Sequence, residues 1–142
     1  MWILLLFAAG AGAAIALQAL INSRMAQHAG SPVLAATISF AVGFIGLALA
    51  VLTQSREAHS IGTAPWWAWT GGLLGAFYVL LSILLVPRIG VAMLITSTLF
   101  GQVVCSLAAD HYGWLGTSAR PISASRIAGA LLVLAGVILI RR

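Results

Sequence analysis

Nine formal charges are all that this chain of 142 residues can place against water: seven arginines, Glu57 and Asp110. A soluble domain carries about 25% charged residues. Here charged residues make up 6% and hydrophobic residues 62%. Nine charges cannot cover a water-soluble globular surface, and a disordered chain would be polar and charge-rich. The composition therefore selects an all-α polytopic membrane protein.

The basic balance does not point to nucleic acid. Binding of that kind clusters basic residues on one face. Arg24, Arg56, Arg88, Arg120, Arg126, Arg141 and Arg142 are instead spread along the chain, each at or near the end of an apolar run. That is how topology-setting charges are placed. The single cysteine, Cys105, excludes an internal disulfide.

A spanning helix needs about 20 mostly apolar residues. Five stretches meet that length: Trp2 to about Ala26, Val33 to about Thr53, Trp66 to Val86, Val91 to Ala109, and Ile122 to Ile140. Gly30, Ser31 and Pro32 predict the end of one helix and the start of the next, with Ser31 as N-cap and Pro32 in the first helical position. Pro65 and Pro121 are expected to open helices in the same way, and Pro87, Arg88 and Gly90 to separate the third helix from the fourth. All four prolines thus fall at expected boundaries, where a missing N–H costs least. Trp66, Trp67 and Trp69 mark one membrane interface, and Tyr112 and Trp114 another. The first run reads as a span rather than a signal peptide, since it lacks a positive n-region and is too long. Only 14 residues separate Arg126 from Arg141, about 21 Å of helix. Arg126 therefore sits about one turn inside the fifth helix, either snorkelling to the headgroups or serving a site. The loops near Gln54–Ala64 and Asp110–Ala119 are too short for an extramembrane domain, so function must reside in the helices.

Five helices put the termini on opposite sides. One side carries Arg56, Arg120 and Arg126; the other carries Arg24, Arg88, Arg141 and Arg142. Three against four is almost no bias for the positive-inside rule to act on. An odd helix count with balanced charge suits an antiparallel homodimer, whose two inverted copies make a ten-helix inverted-repeat transporter. A singly oriented chain with a weak charge signal is the alternative.

Polar residues recur at helical spacing. Gln18 and Asn22 are four apart, and so are Thr98, Gln102, Ser106 and Asp110. Gly71, Gly75, Tyr78 and Ser82 share a face of the third helix, and Ser39 and Gly43 one of the second. Such residues at membrane depth line a cavity or join helices by hydrogen bonds; both readings stand for Gln18, Asn22 and Gln102. No acid lies mid-membrane. Glu57 falls in a polar loop, and Asp110 ends the fourth helix, where it is either an interfacial residue or a coupling acid. His28, His59 and His111 show no metal-ligand spacing, and no nucleophile–base pair or phosphate loop is present. An enzyme, a cofactor or a metal is not expected. Gly129 and Gly136, seven apart, offer a flat seam for a dimer or for an ordinary intrachain contact.

The ordered set Gln18-x3-Asn22-x-Arg24, Gly30-Ser31-Pro32, Ala35-Ala36-x2-Ser39-Phe40-x2-Gly43, Trp66-x2-Trp69-x-Gly71-Gly72-x2-Gly75-x2-Tyr78, Pro87-Arg88-x-Gly90, Gly101-Gln102-x3-Ser106-x3-Asp110-His111-x-Gly113 and Arg126-x2-Gly129-x6-Gly136 covers nearly the whole chain. It resembles the YdcZ family of the drug/metabolite transporter superfamily. The resemblance implies a five-helix half-transporter in the bacterial inner membrane, assembled as an antiparallel dimer. It also implies that the last helix resembles the glycine-seamed last helix of small multidrug resistance proteins, with Gly129 and Gly136 at the dimer interface. Those proteins carry a glutamate in the first helix, where this chain has Gln18 and Asn22. Proton-exchange export of polyaromatic cations is therefore not carried over. The expected function is secondary transport of a small metabolite or drug-like solute by alternating access. Gln18, Asn22, Ser39, Tyr78, Gln102 and Ser106 are the expected substrate-binding residues, and membrane lipid and a second copy of the chain the expected partners. A passive dual-topology channel and a non-transporting assembly subunit are the rival readings.

Overall fold

A computed structural model describes residues 1–53, 62 and 64–141. The expectations for residues 54–61 and 63 of the Gln54–Ala64 loop, which include Arg56, Glu57 and His59, and for Arg142 lie outside the described residues. The architecture is helical: α1 (Trp2–Ala29), α2 (Pro32–Leu52), α3 (Gly71–Tyr112) and α4 (Ala124–Ile140). One 3-10 turn, Trp66–Thr70, precedes α3, and another, Trp114–Gly116, follows it. By length and composition α1, α2 and Trp66–Tyr112 can each cross a membrane, and α4 is a shorter apolar helix of 17 residues.

The α1–α2 turn follows from its residues. Gly30 ends α1 in the left-handed conformation, with φ 66°. Ser31 then caps α2, accepting the Leu34 N–H on Oγ at 3.2 Å, and Pro32 sits in the first turn. A proline there gives up an N–H that no carbonyl would reach.

Two prolines sit differently from expectation. Pro87 lies inside α3 rather than at its end. It removes one backbone bond, that to the carbonyl four residues earlier, and helical geometry persists as far as Ile89. The break falls at Gly90, with φ 77° and ψ 164°, a region open essentially to glycine alone. Pro121 lies outside α4, which starts at Ala124 with Ser123 as its cap. The Ser123 hydroxyl accepts the Arg126 N–H at 3.4 Å. A hydroxyl satisfies a first-turn donor, whereas a proline can only omit one.

The chain forms two compact units, Met1–Arg88 and Ile89–Arg142. In the first, α1 packs on α2. Ala35 and Ala36 of α2 are buried with Val79 and Ile83, and Ala26 and Tyr78 pack against them. Alanines allow the close helix approach that membrane packing relies on. Gly75 serves the same end, because a Cβ there would meet the Phe40 ring at 3.7 Å. The outer faces of α1 and α2 are apolar and exposed: Leu4, Leu6, Phe7, Phe44 and Leu47 are all at least 70% accessible. Water would not tolerate such a surface in a monomer; lipid does. Trp66 and Trp69 are exposed at the head of α3, where an interfacial aromatic belt belongs.

Gly90→Ala is expected to destabilise the folded protein by about 1–3 kcal/mol through its positive φ. Gly101→Ala, in open space on a helix, should be neutral or stabilising by up to about 1 kcal/mol. Thermal unfolding of the two variants in detergent checks this, and equal melting temperatures would count against a constrained break at Gly90.

Candidate functional site

The buried face of α1 is Ala19, Asn22 and Ser23, spaced three and four residues apart as one helix stripe requires. Three polar side chains are thereby held in the interior of the first unit: Asn22, Ser23 and, from α3, Ser82. Ser82 is satisfied locally, its hydroxyl donating to the Val79 carbonyl at 2.8 Å. Asn22 is not: its Nδ2 is fully buried and has no hydrogen-bond partner among the described residues. The Tyr78 hydroxyl, on the same unit's core, is buried and unpartnered in the same way. Each such group costs roughly 1–3 kcal/mol. Tyr78 packs against Ala35, Ala36, Val79 and Ile83, and Asn22 shares its buried helix face with Ala19; an aliphatic side chain at either position would carry no such cost.

Gln18 and Ser39 meet in a cleft of about 350 Å3 between α1 and α2, walled by Phe40, Gly43, Phe44 and Leu47. Another cleft of the unit, about 400 Å3, is lined by Val33, Ala36, Thr37, Phe40, Ala76, Phe77 and Leu80. Its one hydroxyl, on Thr37, is already donated to the Val33 carbonyl at 2.9 Å. It can hold an apolar chain but has little with which to recognise a polar solute. Four of the six expected substrate residues thus belong to the first unit: Gln18 and Ser39 share a cleft, and Asn22 and Tyr78 are in the interior.

The other two lie in the second unit. The polar stripe of α3 divides by chemistry. Thr98 donates to the Ile95 carbonyl and Ser106 to the Val103 carbonyl, each at 3.0 Å. Such back-bonding quiets a hydroxyl within its own helix. Gln102 is exposed. Asp110, at the end of the stripe, is paired with Arg126, Oδ2 to Nη1 at 3.2 Å. The approach is an ion contact rather than an aligned hydrogen bond, since Nη1 has no hydrogen-bond partner. The two side chains are 38% and 30% exposed. The segment between them is tied back at its base, where the Arg120 N–H donates to the Asp110 carbonyl at 2.7 Å. This satisfies one of the carbonyls that a helix end leaves free. Next in the chain, His111 meets Tyr112 edge to face and Tyr112 stacks on Trp114.

The pair is unusual for where it sits. Asp110 is in the last turn of α3 and Arg126 in the first turn of α4. An acid at a helix C-terminus and a cation at an N-terminus each oppose the helix dipole, by roughly 0.3–1 kcal/mol. Neither position is explained by capping, so the charges are there for each other. Sequence reasoning named both residues but not the pair. The readable signal was the depth of Arg126 in its helix, together with the only acid at a helix end.

Gly129 and Gly136 lie on α4, and within the second unit nothing comes within 4 Å of a Cβ built at either. Cys105 is exposed. No group of three or more His, Cys, Asp or Glu side chains gathers as a metal site among the described residues.

These features are those of a membrane protein with a partly polar helix interior. A family model described as "Putative inner membrane exporter, YdcZ" matches residues 3–139. The chain belongs to the YdcZ family of the drug/metabolite transporter superfamily. No curated protein and no solved structure gives a match.

The dipole argument yields a directional expectation. Asp110→Ala and Arg126→Ala should each lower stability, by about 0.5–1 kcal/mol for a part-exposed pair. The double swap Asp110→Arg with Arg126→Asp keeps the pair and places both charges at favoured helix ends. Its melting temperature should equal or exceed that of the wild type. A swap as unstable as either single variant would contradict the account.

Proposed function

We propose that the chain is one half of a small secondary transporter, working as an antiparallel homodimer in the bacterial inner membrane. The buried Nδ2 of Asn22 and hydroxyl of Tyr78, both without a protein partner, carry this reading. A stable helix interior has no use for an unmet amide, whereas a solute supplies the missing bond when it arrives and removes it when it leaves. With Gln18 and Ser39 of the same unit, these groups give a hydrogen-bonding lining for a small metabolite or drug-like solute; Gln102 and Ser106 are substrate contacts of this reading in the second unit.

In this reading the chain crosses the membrane five times. Gly90 divides α3 into runs of 19 and 22 residues, 71–89 and 91–112, or about 28 and 33 Å of helix. Each matches a hydrocarbon core of about 30 Å, and α4 supplies the fifth crossing. Two inverted copies complete the ten-helix assembly, and rocking of one against the other exposes the lining to each side in turn. Gly129 and Gly136, open within their own unit, give the second copy a smooth surface. Asp110 is the coupling acid of this reading, with Arg126 as the partner of its carboxylate.

The test uses proteoliposomes loaded with an isotopically labelled extract of soluble metabolites. One class of solute should leave saturably, and faster when the same unlabelled solute is outside. Ohmic single-channel currents, or no flux of any component, would overturn the transporter reading. Reporters active on one side only, fused to the C-terminus, should give signal on both sides of the membrane. Signal confined to one side would end the antiparallel part.

A further inference from the structure

A separate cleft of about 240 Å3 lies at the arginine-bearing end of the first unit. The last turns of α1, the start of α2 and residues 83–88 of α3 form it. Pro32, Ile83 and Pro87 give it stiff apolar walls, and its polar lining is Ser23, Gln27 and Arg88. Ser23 is only 5% exposed, so its hydroxyl belongs to a built recess. Arg24 stands next to the cleft and donates from Nη1 to Gln27 Oε1 at 3.1 Å. That bond occupies the acceptor end of the Gln27 amide and leaves its Nε2 donors for a ligand.

The chemistry of this recess is one-sided. Arg88 offers a guanidinium fork, Gln27 an amide N–H and Ser23 a hydroxyl, with the charge of Arg24 alongside. No described residue of the first unit is acidic, and Asp110, the one described acid, is paired with Arg126 in the second unit. Among the described residues of the unit, the donors have no carboxylate to answer them. A ligand for such a set is anionic and rich in acceptor oxygens, and the arginine fork matches phosphate in particular. Basic recesses between the ends of membrane helices are suited to lipid headgroups.

We propose that this cleft binds a phosphate group, supplied by the headgroup of an anionic phospholipid. Arg88 is the principal contact, Gln27 and Ser23 complete the cradle, and Arg24 orients Gln27. A zwitterionic headgroup is disfavoured, because nothing in the described recess receives its cationic end. A bound headgroup would also join α1, α2 and the 83–88 segment at the end that carries both Gly30 and Pro87.

The full chain, purified in a neutral detergent, is titrated with phosphatidylglycerol or with phosphatidylcholine of the same acyl chains, and unfolding is followed by tryptophan fluorescence. Phosphatidylglycerol should raise the melting temperature in a saturable manner and phosphatidylcholine should not. Arg88→Gln should weaken the apparent affinity for phosphatidylglycerol about tenfold or more, as loss of a charge-assisted bond implies. Arg88→Lys should weaken it less, and Arg141→Gln, at the far end of the chain, should leave it unchanged. Gln27→Leu provides a second loss variant if Arg88→Gln does not fold. Inorganic phosphate is titrated in parallel. If it alone reproduces the stabilisation, and Arg88→Gln removes that effect, the phosphate site stands and the lipid source is replaced by a soluble phosphate ester. Equal stabilisation by both lipids, or a full phosphatidylglycerol response in both loss variants, would overturn the proposal.

Discussion

Lipid offers no hydrogen bonds, so each polar group that a helix carries into a membrane must find its partner within the protein or in a solute. Most of this chain obeys that constraint by the shortest route. Thr37, Ser82, Thr96, Thr98 and Ser106 return their hydroxyls to backbone carbonyls three or four residues earlier. The exceptions then become informative. Asn22 and Tyr78 do not take that route: the Asn22 Nδ2 and the Tyr78 hydroxyl have no partner among the described residues. Asn22 lies on the buried face of α1 with Ala19 and Ser23, and Tyr78 packs against Ala35, Ala36, Val79 and Ile83, where an aliphatic side chain would leave no bond unmet.

Charge follows the same logic. The chain can place so few charges that each is tied to a boundary. Asp110 and Arg126 are the two that meet, and they do so against the dipoles of both helices. Their mutual attraction must offset two unfavourable placements as well as partial desolvation, so the pair is poised near balance. A contact of that kind breaks at low cost. Arg24 and Arg88 have no described acid in their unit, and the anionic headgroup proposed above would supply their counter-charge.

Much of the architecture was legible in the residues. The Gly30-Ser31-Pro32 turn encodes a left-handed stop, a side-chain cap and a proline start, and all three are present. These are local instructions, which sequence carries well. The prolines were less reliable, since a proline marks only what the backbone loses. Pro87 and Pro121 are not helix ends; Gly90 and Ser123 are, the first by its φ and the second by its hydroxyl. The candidate site was legible as a set of polar positions and not as an arrangement. Periodicity put Gln18 and Asn22 on one face, yet one lines a cleft with Ser39 and the other is buried. It also grouped Thr98 and Ser106 with Gln102, although both hydroxyls are satisfied within their helix. The Asp110–Arg126 pair joins residues on two different helices, and spacing along one helix carries no information about such a contact.

In the proposed transporter, the unmet groups of Asn22 and Tyr78 are kept for a solute and not for the fold. Asn22→Leu and Tyr78→Phe test it when stability and export are measured on the same preparations. Each removes an unpartnered buried polar group while nearly conserving volume, so the melting temperature should hold or rise. Export of the labelled solute from proteoliposomes should fall by about tenfold or more, as expected when a bound solute loses a hydrogen bond that the site was built to make. Lower melting temperatures with undiminished export would contradict the claim and return both residues to a structural role.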